Sequence, residues 1–239
     1  TELYDGTNWT EVNNLNTARQ NLAGAGTSTS ALGSGGFTGT ANTADTEQWN
    51  GTNWTEVNNM NTVRTAAGGT GSSNTNALTF GGVEPSVSNK TESWNGTNWT
   101  EVNDLNTARR SMGSAGDSNT SALAFGGRNP GSGNKGETES WNGTNWTELN
   151  DLNTARQYIA GTGIQASALA FGGETPAPAV TGATEEWSGA AWSEVADLNT
   201  VRKASVGTGT TTAGLASGGY ITAQTAATEE WSSSSNTVK

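Results

Sequence analysis

Residues 91–116 read T-E-S-W-N-G-T-N-W-T-E-V-N-D-L-N-T-A-R-R-S-M-G-S-A-G, and this stretch decides the fold. Trp94 and Trp99 flank an Asn-Gly turn, the dipeptide that most readily adopts the positive φ values of a tight hairpin. Ten residues after Trp99, Arg109 opens a run that ends in tiny side chains. Outward from here the same landmarks return. Tryptophan of the N-W-T-E or W-S-E type stands at Trp9, Trp54, Trp99, Trp146 and Trp192, at spacings of 45, 45, 47 and 46. Arginine follows at Arg19, Arg64, Arg109, Arg156 and Arg202, and a double glycine at Gly35-Gly36, Gly81-Gly82, Gly126-Gly127, Gly172-Gly173 and Gly218-Gly219. A second aromatic series runs Tyr4, Trp49, Trp94, Trp141, Trp187 and Trp231. A fixed period of this length marks one supersecondary unit that must stack on its neighbours to bury a core.

Each unit, counted from its arginine, reads as four short strands separated by turn residues. In the third unit they are Arg109–Gly116, Ser121–Gly127, Thr138–Trp141 and Trp146–Leu149, and no unit shows a helical apolar period. One four-stranded sheet of this size cannot cover both its faces, and radial stacking leaves only short, protected edges. The arginine-led runs, RQNLAGAG to RKASVGTG, end in Gly, Ala or Thr, as strands converging on an axis must; Leu32, Leu78, Leu123, Leu169, Leu215 and the tryptophans belong further out. The expected architecture is an all-β, five-bladed β-propeller with four antiparallel strands per blade, one unit over residues 1–239. Its closure is ambiguous, because T-E-x-aromatic occurs six times against five arginine-led pairs. The hairpin Thr1–Val12 keeps the repeat better than Thr228–Lys239. It is therefore expected, within residues 1–15, to close the ring by completing the blade begun by Arg202, leaving 228–239 surplus or loosely held. The alternative is a degenerate but genuine C-terminal hairpin, with the N-terminal one displaced or docked on a neighbour.

Composition narrows the chemistry. Ten tryptophans at regular intervals set the chain apart from a disordered one, although only 31% of it is hydrophobic. With no cysteine and no histidine there is no disulfide, no thiolate metal site and no ordinary general base near neutral pH. A net charge of -11 disfavours nucleic acid and anionic membranes. The sequence carries no apolar run of the roughly 20 residues a spanning helix needs, and its first residues read as repeat and not as a secretory leader. No cofactor is expected, and no metal: no EF-hand spacing of acids occurs, and no helix follows the double glycines to make a phosphate site.

The order arginine, double glycine, aromatic, tryptophan resembles the kelch repeat over essentially the whole chain. The wording ALAFGG, TESWNGTNWTEVN and LNTAR also resembles repeats of marine bacteriophage structural and tail-associated proteins. The two resemblances imply a non-catalytic structural or adhesive module, a monomeric ring placed on a virion or outside the cell after passage through the producing cytoplasm. Its partners would be a glycan or a protein surface; the alternative is a kelch-type domain that binds one peptide on its loop face. The enzymatic alternative, glycoside hydrolysis, needs two carboxylates about 5–10 Å apart. The five innermost strands contain no Asp or Glu, so no catalytic residue is assigned.

Two sets of binding candidates remain. Arg19, Arg64, Arg109, Arg156 and Arg202 could form an anion-binding ring; the plainer reading pairs each with a carboxylate or with backbone carbonyls. The N-x-S/T sites at Asn8, Asn53, Asn98 and Asn145 are explained by recurrence of the turn. The connections between second and third strands, 37–45, 83–90, 128–137, 174–183 and 220–227, vary where the rest repeats. Variable loops on a rigid scaffold are where binding concentrates, which singles out Arg128 and Asn129.

Overall fold

The computed structural model describes residues 1–233, which form strands and turns and no helix. Four blades have four strands each: Ala23–Thr27, Ser30–Ser34, Thr46–Trp49 and Trp54–Val57 in blade 1; Gly68–Ser73, Asn76–Phe80, Thr91–Trp94 and Trp99–Val102 in blade 2. Blade 3 comprises Gly113–Ser118, Ser121–Phe125, Thr138–Trp141 and Trp146–Glu148, and blade 4 Ala160–Ile164, Ser167–Phe171, Thr184–Trp187 and Trp192–Val195. Within each, neighbouring strands pair antiparallel in chain order, an up-and-down meander. Among the described residues, the fifth blade has Val206–Gly209, Ala213–Ser217 and Thr228–Ser232. All five first strands line one central channel, so the protein is the five-bladed β-propeller expected from the repeat.

The first strands begin later than the arginines that announce them; in blade 3 the strand opens at Gly113, not at Arg109. Two residues after each arginine the backbone is left-handed: Asn21, Ala66, Ser111, Tyr158 and Ala204 have φ of 53–56°. That conformation costs an L-residue about 1–2 kcal/mol and interrupts an extended strand. Tertiary hydrogen bonds hold it in place. The N–H of Ala66 donates to Asn21 O (2.9 Å), Ser111 to Ala66 O (2.9 Å), Tyr158 to Ser111 O (2.7 Å) and Ala204 to Tyr158 O (2.9 Å), a ladder from blade to blade.

The double glycines are also inter-blade joints. Gly82 N–H donates to the carbonyl of Arg109 in the next blade (2.9 Å), and a Cβ on Gly81 would stand 2.6 Å from that same oxygen. Both glycines adopt positive φ, 65° and 97°, so the position excludes side chains twice over.

The tryptophans supply the core. The third-strand ring caps its own blade: Trp94 Nε1 donates to Asn74 O (2.8 Å) and Trp141 Nε1 to Asn119 O (3.0 Å). The fourth-strand ring reaches the preceding blade, as Trp99 Nε1 does to Thr46 Oγ1 (3.0 Å), Trp146 to Thr91 (3.1 Å) and Trp192 to Thr138 (2.9 Å). Within blades the two rings lie tilted, 5.3 Å apart for Trp94 and Trp99. Between blades Phe80 meets Trp146, and Phe125 meets Trp192, edge-on at 4.9 Å. Burial of rings this large, about 150–250 Å² each, offsets the ordering of a polar chain.

The N-terminal hairpin closes the ring, but not by completing the blade begun by Arg202. Thr228–Ser232 pairs with Ala213–Ser217 over five residues as the third strand of the blade begun by Arg202. The N-terminal hairpin, Glu2–Tyr4 paired with Trp9–Glu11, does not complete that sheet; it forms its own between blades 5 and 1. Trp9 Nε1 donates to Thr228 Oγ1 (3.2 Å) and Tyr4 Oη to Glu230 Oε1 (3.0 Å) on one side. On the other side Trp54 Nε1 donates to Thr1 Oγ1 (3.1 Å). The hairpin thus closes the ring as a wedge. The physical reason is pairing: strand 228–232 follows 213–217 in sequence and takes its free edge. Residues 234–239, expected with the rest of 228–239 to be surplus or loosely held, lie outside the described residues.

Candidate functional site: the loop face of the ring

The five repeat arginines are not presented to a ligand. Arg19, Arg64, Arg109 and Arg156 place Nη2 3.0, 2.5, 2.9 and 2.8 Å from Glu47, Glu92, Glu139 and Glu185, and Arg202 pairs with Glu229. Their Nη1 groups take backbone carbonyls, such as Gly126 O at 3.1 Å from Arg109. Each carboxylate is capped in turn by the L-N-T segment of the unit before it: Asn106 N donates to Glu139 Oε2 at 2.7 Å. Burial pulls the Arg109 guanidinium below its ordinary pKa, against the opposing pull of Glu139 and Glu137. These residues staple the turn after the second strand to the third strand, and the anion-ring reading is corrected accordingly: the side chains are fully buried and already neutralised.

What the repeat leaves variable lies at the mouth of the channel. The residue after each arginine forms an isolated bridge with the residue after each double glycine: Gln20 with Phe37, Thr65 with Val83, Arg110 with Arg128, Gln157 with Glu174, and Lys203 with Tyr220. One backbone frame therefore displays five different pairs. Those of blades 1 and 2 are neutral, whereas those of blades 3 to 5 carry charge and a tyrosine. Lys203 pairs with Glu174 and stands 5.7 Å above the rings of both Tyr158 and Tyr220. Gln157, only 2% exposed, donates Nε2 to Glu174 Oε1 at 3.2 Å, while its Oε1 is buried without a partner. The hydrogen bond from Lys203 holds the Glu174 carboxyl below its usual range.

Arg110 and Arg128 stand opposite one another, partly exposed, with no carboxylate within ion-pair distance among the described residues. The Nε of each is buried and unpartnered. Arg128, singled out by sequence, is thus joined by Arg110, which periodicity hid beside the repeat arginine. Asn129 is used internally: its Nδ2 donates to Ala108 O (3.0 Å) and its Oδ1 accepts from Gly131 N (2.9 Å), shaping the loop 128–134. The channel below encloses about 580 Å³ and is lined by Gly, Ala, Ser, Thr and a few apolar residues, with no carboxylate among its lining. No group of three or more Asp or Glu among the described residues is arranged to hold a metal ion.

Fold and site together define a propeller whose repeated residues build the scaffold and whose variable residues ring one mouth, an arrangement compatible with a non-catalytic interaction module. No family model and no curated protein matches the chain.

Proposed function

We propose that the protein is a non-catalytic interaction module that binds one partner per ring on the loop face of blades 3 to 5. The observation that carries this reading is the pair Arg110–Arg128, which makes no ion pair among the described residues and feels Glu174 only at longer range, beside the Lys203–Glu174–Tyr158–Tyr220 cluster on a chain of net charge -11. Two arginines on opposed positions of one bridge suit an acidic side chain or chain terminus, and tyrosines supply contact area at low entropic cost. The partner class is an acidic peptide segment on another protein. The wording of the repeat favours a second reading, an adhesive glycan-binding part of a virion. That reading calls for equivalent sites in each blade, whereas the five-fold residues are buried in staples and joints. A carboxylate-free channel and the lack of histidine and cysteine support the absence of catalysis. Calorimetry against an array of acidic peptides tests the proposal: one site per chain is expected, weakened at least tenfold in Arg110→Ala and Arg128→Ala. Several equivalent glycan sites per chain, indifferent to these changes, would overturn it.

A further inference from the structure

The ring contains four complete blade-to-blade interfaces, and the hairpin Glu2–Tyr4/Trp9–Glu11 stands where the outer half of a sixth blade would. Its hydrogen bonds to Thr228 and from Trp54 repeat those of the fourth-strand tryptophans elsewhere. Inward of it, between the first strands of blades 5 and 1, lies a cleft. Val206 is 66% exposed and Thr208 exposed there, where their counterparts Ala160 and Thr162 are buried; Gly24 and Gly26 line the opposite wall, also exposed.

The groups around this cleft are those that an arginine-led strand pair satisfies in every other blade. Glu2 is the counterpart of Glu47, Glu92, Glu139, Glu185 and Glu229, yet it is exposed and has no basic partner among the described residues. Gly218 and Gly219 hold φ of 64° and 107°, as the other double glycines do. However, no arginine carbonyl sits on them, and the nearest atom to a Cβ at Gly218 is Thr225 O at 3.6 Å. The ladder of left-handed residues ends at both sides of the cleft: Ala204 O accepts no bond and Asn21 N–H donates none among the described residues. Among the described residues, the strand Glu2–Tyr4 pairs on one edge only.

We infer that this cleft is a receptor for a β-hairpin of the repeat's own kind, an arginine followed by a small-residue strand and then S-A-L-A-F-G-G. One such segment would place its guanidinium on Glu2, its arginine carbonyl on Gly219 N–H and its second strand along the free edge of Glu2–Tyr4. Its left-handed residue would join the ladder between Ala204 and Asn21. A second copy of the chain cannot serve, because each of its arginine-led pairs is already built into a blade of its own. Main-chain pairing supplies affinity and the arginine supplies register, as in strand addition generally.

The test is titration of the full chain with a synthetic peptide of residues 156–173, followed by tryptophan fluorescence and calorimetry. Saturable 1:1 binding is expected, weakened about tenfold or more by Arg→Gln at the first peptide position and equally by Glu2→Gln in the protein. Glu2 is exposed, so that variant keeps the fold, which circular dichroism checks. Binding no stronger than that of a scrambled peptide overturns the inference, as does binding indifferent to both changes. Sedimentation of the unliganded chain as a dimer that Glu2→Gln dissociates overturns it in favour of self-association.

Discussion

Glu139→Gln isolates the force that fixes each blade's turn. Glu139 Oε1 lies 2.9 Å from Arg109 Nη2, and its Oε2 accepts from Asn106 N at 2.7 Å and Nδ2 at 2.9 Å. Both charged side chains are essentially inaccessible, at 0% and 1%. The amide keeps the volume and one acceptor, yet it leaves a guanidinium uncompensated and turns an NH₂ toward a donor. Breaking one side of a buried pair costs about 3–5 kcal/mol. For a domain of this size that is a fall in melting temperature of about 6–20 °C, at about 2–4 °C per kcal/mol. Differential scanning calorimetry at pH 7 reads it directly. The double change Arg109→Leu with Glu139→Leu should lose less than the single one, because replacing both charges removes the desolvation burden. A single variant that melts within about 1 °C of the parent would refute the reasoning, because the pair would then contribute nothing at 2.9 Å and full burial.

Other expectations follow from the same geometry. Gly218→Ala should cost about 1–2 kcal/mol for its left-handed backbone alone. Gly81→Ala, whose Cβ would also meet Arg109 O at 2.6 Å, should cost clearly more by urea denaturation; equal losses would deny the inter-blade joint. Trp146→Phe removes the bond to buried Thr91 Oγ1 and should destabilise by about 1–3 kcal/mol, the cost of an unsatisfied buried hydroxyl with lost contact. Trp9→Phe, on a ring 40% exposed, should cost less in the same assay. Because Glu174 titrates below its unfolded value, its link to Lys203 stabilises the mouth fully above that unfolded value and loses this as pH falls through the depressed one. Protection factors near Lys203 and Tyr220, corrected for the intrinsic exchange rate, should therefore fall only in acid, and Lys203→Met should abolish the change.

The blades were legible in the sequence because their causes are local and repeated. Turns of Asn-Gly, Asp-Gly or Ser-Gly, tiny residues before an axis and tryptophans at fixed intervals each report a constraint that recurs five times. The arginines were legible only as alternatives, since a guanidinium in sequence does not say which carboxylate lies opposite; Glu139 is 30 residues from Arg109. The left-handed residues left no signal at all. Asn, Ala, Ser, Tyr and Ala share no propensity, because a hydrogen bond to the neighbouring blade, and not the side chain, demands the conformation. Closure by the N-terminal hairpin was legible, whereas the sheet it joins was not: likeness to the repeat assigned it to the blade begun by Arg202, and adjacency in the chain gave Thr228–Ser232 that open edge. Arg110 was hidden because it follows a repeat residue of its own type, and only its bridge to Arg128 sets it apart.

The position of the N-terminal hairpin joins the fold, the cleft and the closure of the ring, and the tryptophan indoles report on it. In a nuclear Overhauser spectrum the Trp9 indole proton should show a cross-peak to the Thr228 side chain, and that of Trp54 one to Thr1. A Trp9 indole that exchanges freely with water and meets only its own hairpin would contradict the ring described above.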